Sequence, residues 1–69
     1  MKLQKGNTFY DTDNYKCHIV ERIIEKPYNL IVYKYFGKNK KRWFYFVELE
    51  FVILNSFDCG LYTEKKKDK

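Results

Sequence analysis

Sixty-nine residues make one small domain with a modest core, and leave no length for a second. Lys and Arg outnumber Asp and Glu by 14 to 9, a formal net charge of +5, which suits phosphate backbones or an acidic protein surface; no run approaches the roughly 20 apolar residues of a membrane helix, so no membrane partner is expected. Hydrophobic residues at 45% and aromatics at 20%, with three Gly and one Pro, exclude a disordered chain over residues 6–62.

Lys5-Gly6-Asn7 is a turn signal ahead of Thr8-Phe9-Tyr10, a short strand. Asp11-Thr12-Asp13-Asn14 is the next turn, because Asp and Asn side chains bond their own backbone. It opens like a calcium loop. The motif then fails, with Lys16 where Gly is needed and Arg22 where Glu is needed. Tyr15–Glu25 reads as a long strand whose apolar phase slips by one residue near Ile19-Val20, the mark of a bulge or bend. A helix over Ile19–Lys26 is the rival reading, and the β-branched content favours the strand.

Lys26-Pro27-Tyr28-Asn29 is a turn. Leu30–Phe36 follows as a strand with Leu30, Val32, Lys34 and Phe36 on one face and Ile31, Tyr33 and Tyr35 on the other. Both faces are largely apolar, which predicts an interior strand. Gly37-Lys38-Asn39-Lys40-Lys41 is a hairpin loop in which Gly37 and Asn39 are the expected positive-φ residues. Arg42–Val47 is the returning strand. Trp43, Tyr45, Val47, Leu49 and Phe51 keep one phase; Phe44, Phe46, Glu48 and Glu50 keep the other. Residues 48–55 continue as strand or close a short helical turn through Leu49, Val52 and Ile53. Phe57–Tyr62 reads as a last short strand, and Thr63–Lys69, with four Lys against two acids, as a disordered charged tail.

The expected fold is therefore all-β or mainly β, with four or five strands. An SH3-like barrel comes first and a curved antiparallel sheet, with or without one helix, second. Leu30, Val32, Trp43 and Val47 are the expected core of the hairpin. Lys5-Gly6-Asn7 followed by Phe9, Tyr15-Lys16 followed by Val20, Ile31-Val32-Tyr33-Lys34, Gly37 and Trp43 together resemble small one-domain bacterial and phage proteins with an SH3-like barrel. The whole chain also resembles the small basic accessory proteins of phages, some of which inhibit host defence machinery by binding it. That resemblance implies a non-enzymatic inhibitor that occludes a functional surface of a host protein.

No catalytic set stands out, and no enzyme activity or cofactor is expected. Cys17 and His18 are adjacent on a strand and point to opposite faces; with Cys59 they lack the spacing of zinc ligands. Asp11/Asp13 and Glu48/Glu50 sit at the spacing of solvated edges. Gly37–Lys41 lacks the second Gly and the Ser/Thr of a phosphate loop. Two lone cysteines and no apolar leader fit a reduced, cytoplasmic setting. The remaining signal is the basic hairpin. Lys34, Lys38, Lys40, Lys41 and Arg42 supply positive charge, and Tyr33, Tyr35 and Tyr45 supply rings that tolerate a surface. These eight residues are the expected partner-binding set. The partner is an acidic protein surface, reached by electrostatic steering, or alternatively single-stranded nucleic acid. A homodimer through an exposed sheet edge is a further expectation.

Overall fold

The computed structural model describes residues 3–66. Four strands, β1 (Thr8–Tyr10), β2 (Lys16–Ile23), β3 (Leu30–Gly37) and β4 (Arg42–Leu49), precede one helix, α1 (Glu50–Asp58). The strands form an antiparallel meander in the order β1-β2-β3-β4. The sheet stays open. The expected barrel does not form, because the chain after β4 turns into a helix instead of supplying the strand that would close it. Phe57–Tyr62, read as that strand, is the last turn of α1 and the bend after it. Among the described residues after α1 only Thr63 pairs with the sheet, exchanging two backbone hydrogen bonds with Tyr10 at 2.7 and 3.0 Å. Of the expected charged tail, residues 67–69 lie outside the described residues.

The bulge falls where the apolar phase slips. His18 faces Lys34 and Ile19 faces Tyr33, but Glu21, not Val20, faces Val32. One extra residue returns Arg22 to the face that holds Ile19 and Ile31, where α1 begins. There Arg22 pairs with Glu50 through Nη1 and Nη2, and Nη1 also donates to the Leu3 carbonyl at 3.2 Å. Asn29 Nδ2 donates to Glu50 Oε1 at 3.1 Å, and the Glu50 backbone N–H donates to the Asn29 carbonyl at 2.9 Å. These contacts fix the strand-to-helix corner. Leu49, the N-cap, offers no side-chain acceptor, so Glu50 is the group that complements the positive end of the helix. At the other end Gly60 takes φ 81°, and Leu61 N–H donates to the Ser56 carbonyl, a left-handed helix stop.

The α1 face bearing Ile53 and Phe57 covers one side of the sheet. Leu3, Phe9, Cys17, Ile19, Ile31 and Ile53 form the fully buried core, with Tyr33, Tyr35, Phe57 and Tyr62 packed around it. Phe9 is its hub, with ring centroids 5.4 Å from Tyr33, 5.6 Å from Phe57 and 5.0 Å from Tyr62. Phe46 and Phe44 extend the aromatic layer toward the hairpin, stacking on Tyr35 at 5.6 and 5.7 Å. The Phe44 ring lies over Gly37, where a Cβ would collide with it. Gly37 is therefore required for close packing and not for positive φ. The left-handed residue of the loop is Lys41, at φ 53°.

The cysteines separate cleanly. Cys17 is buried in the core and Cys59 is exposed after α1. Burial, with the Asp11 charge adding to it, pushes the Cys17 thiol up to about 12. A disulfide reagent added to the native protein at neutral pH should titrate one thiol per chain, and both after denaturation. Two fast-reacting thiols in the native state would contradict this core.

Candidate functional site: an open aromatic and basic sheet face

Alternation along the strands places Tyr10, Lys16, His18, Val32, Lys34, Phe36, Trp43, Tyr45 and Val47 on the side of the sheet opposite the core. No element packs over this side among the described residues, since α1 lies on the other. Trp43 and Val47, expected in the core, are here instead and are 43% and 61% exposed. The physical reason is the single helix: one helix covers one face, and the phase of Ile31, Tyr33 and Ile19 wins it. Val32 and Leu30, also expected in the core, share the open side and are half-buried by their strand neighbours alone.

A cluster forms at the centre of this face. Lys34 lies between the rings of Trp43 and Tyr45 in register, because Tyr45 is its direct β4 partner and Trp43 is diagonal to it. Its Nζ is 4.6 Å from the Trp43 ring centroid and 5.8 Å from that of Tyr45. Both distances allow cation–π attraction, worth about 0.5–1 kcal/mol each at an exposed site. Two further rings meet Trp43 edge to face, His18 at 5.7 Å and Phe36 at 5.5 Å. Trp43 is thus held by three side chains from β2 and β3 while almost half of it faces water.

Beside this cluster, toward the hairpin end, is a cleft of about 290 Å³ lined chiefly by Tyr10, Lys16, His18, Phe36, Lys38 and Lys66. Three of the lining residues are lysines. Among the strand residues of this face the one carboxylate, Glu21, is at the far end beside Val32. The face is therefore graded, cationic and aromatic near the hairpin and aliphatic near Val47, Ile23 and Leu49.

His18 reports this field. Partial burial and the charges of Lys16 and Lys34 hold its pKa below the ordinary 6.5. Lys16 shares its strand, Lys34 faces it from β3, and Thr8 faces it from β1. The unfolded chain therefore binds the His18 proton more tightly than the native one. Its contribution to stability is complete above the ordinary pKa and declines as pH falls below it. An anion in the cleft reverses that penalty. Anion affinity should rise as pH falls below about 6.5, and His18→Gln should flatten the rise, which a binding titration across that range will measure.

The structure divides the eight residues expected to bind. Lys34 and Tyr45 meet on the open face. Lys38 lines the cleft beside it, and Lys40 and Lys41 are exposed in the loop. Arg42 points to the core side, its guanidinium 4.8 Å from the Phe44 ring. Tyr33 and Tyr35 are also on the core side. The Tyr33 hydroxyl is held well above the ordinary tyrosine pKa, first by burial and then by Tyr62. Tyr35 is sandwiched between Tyr15, at 5.1 Å, and the two phenylalanines. Sequence reasoning left out Trp43, Phe36, His18 and Lys16. The shared phase of Lys34 and Phe36, set across a hairpin from Trp43 and Tyr45, carried the signal. Compared with protein-family models, curated proteins and solved structures, the chain matches none of them.

Proposed function

We propose that the protein binds single-stranded nucleic acid across the open face of its sheet. The observation that carries this reading is the exposed Trp43–Tyr45 pair with Lys34 between the rings, beside a cleft lined by three more lysines and the His18 imidazole. Single strands expose base faces and a phosphate chain together. Aromatic rings on a rigid strand accept the bases, and lysines within reach neutralise the phosphates. Lys34 serves both, holding the rings in place and presenting charge to the backbone. Lys16, Lys38 and Lys66 take the neighbouring phosphates, and the exposed loop residues Lys40 and Lys41 steer the approach.

Four contacting lysines predict a salt slope of about −3 for a single strand. Fluorescence anisotropy with a labelled oligothymidylate should then lose roughly fifty-fold in affinity between 50 and 200 mM salt. The double variant K16E/K38E should weaken binding at every salt concentration and flatten the slope. A wild-type affinity independent of salt would sink the proposal.

A protein partner on the same face is the second reading. It is favoured by the aliphatic end, where Val47 and Ile23 are 61% and 39% exposed and, among the described strand residues, no lysine shares the face. A protein would dock there, with the basic hairpin steering it through an acidic rim. Its signature is retention of a specific protein by the immobilised chain while oligothymidylate gives no response.

A further inference from the structure

We infer that two copies of this chain pair antiparallel along β4, joining their sheets into one eight-stranded sheet. The two outer strands of the meander are treated differently. β1 is three residues long, and its outer side is covered where Thr63 pairs with Tyr10. β4 is eight residues long, pairs with β3 without a register shift, and contains no Pro, Gly or Lys. Among the described residues no strand covers its outer side. Of the devices that usually blunt an edge it has only a charge at either end, Arg42 and Glu48, the latter accepting the Leu49 N–H at 3.0 Å, and the stretch from Trp43 to Val47 between them has none. Trp43, Tyr45, Phe46 and Val47 are each at least 40% exposed along it.

The sequence of β4 is complementary to itself when reversed. The Glu50 N–H bonds the Asn29 carbonyl, in register with the β3–β4 ladder. Alternation then turns the backbone groups of residues 42, 44, 46 and 48 toward β3, and those of Trp43, Tyr45 and Val47 outward. A two-fold axis through Tyr45 pairs these outward groups with one another: Tyr45 with Tyr45 of the second copy, and Trp43 with Val47. The same register sets Arg42 against Glu48 and Phe44 against Phe46, both on the core side of the sheet. Each Arg42–Glu48 pair falls at the close, non-hydrogen-bonded spacing of about 4.5 Å between Cα atoms, and occurs twice by symmetry. Opposite charges meet, aromatic meets aromatic, and no like charges face each other. On the open side the join sets two Trp43–Tyr45 pairs in one row, doubling the length of the platform. The inference does not depend on what that platform binds.

Sedimentation equilibrium without any nucleic acid tests it. The wild type should show twice the 8.5 kDa chain mass. Arg42→Glu and Glu48→Arg, each alone, set like charges across the axis and should shift the protein to monomer. The double variant R42E/E48R restores both pairs and should return the dimer. Val47→Pro removes an outward N–H while leaving the β3 ladder intact, and should give a folded monomer by circular dichroism. A wild-type monomer at millimolar concentration overturns the proposal. So does a double variant that folds but remains monomeric, or a Val47→Pro protein that folds and still dimerises.

Discussion

Trp43→Ala should lower affinity for oligothymidylate by about five- to a hundred-fold while leaving the fold in place. Base stacking on an exposed aromatic is worth about 1–3 kcal/mol per base, and the substitution removes the ring outright. It also releases Lys34, His18 and Phe36, whose positions depend on that ring. The cost to stability is small by comparison, because the ring is 43% exposed on an outer strand and leaves no closed cavity. Equilibrium binding by anisotropy, with a denaturation curve on the same sample, separates the two effects. Trp43→Phe keeps a stacking face and should recover most of the affinity. Equal binding by wild type and Trp43→Ala would mean that the ring is not a contact.

Phe9→Ala should have the opposite character, an unfolded or barely folded protein. Phe9 is fully buried, and its ring touches Tyr33, Phe57 and Tyr62, so it ties β1, β3, α1 and the returning segment together. Truncating a buried Phe costs about 3–5 kcal/mol, and a domain of this size holds roughly that much in total. The thermal midpoint should fall by more than roughly 15 °C, if a transition survives at all. Val47→Ala, at a comparably apolar but 61% exposed site, should shift it by no more than about 4 °C, within about 0.5 kcal/mol. Similar losses at both positions would place the core on the wrong side of the sheet.

Much of the strand layout is legible in the sequence. Two-residue alternation marks β3 and β4, the slip at Ile19-Val20 marks the bulge, and the two apolar faces of Leu30–Phe36 mark β3 as interior. Closure was not legible. Whether the residues after Leu49 extend the sheet or coil depends on the corner formed by Arg22, Asn29 and Glu50, residues up to 28 positions apart. That corner in turn exists because the bulge rotates Arg22 onto the helix side. Once α1 covers a single face, the division between core and surface follows, and it follows differently for neighbours. Phe46 and Tyr45 are adjacent and equally apolar in pattern, yet one stacks on Tyr35 and the other meets Lys34 across the open face.

The same dependence explains the candidate site. Lysines and aromatics near the hairpin are visible in the sequence, but composition gives no sign of which share a face. Tyr33 and Tyr35 serve the core, and Arg42 lies over Phe44. Trp43, expected inside with Leu30, Val32 and Val47, is the centre of the exposed cluster. His18 and Lys16 join it only through the register of β2 on β3, which sets His18 directly against Lys34.

The most direct test uses Trp43 itself, the one tryptophan in the chain. Its emission reports its own surroundings without a label. Titration with a short oligothymidylate at low salt should quench that emission saturably, added salt should restore it, and Lys34→Glu should shift the titration to higher concentration. Emission unchanged at saturating oligonucleotide, or a change that salt does not reverse, would contradict binding across this face.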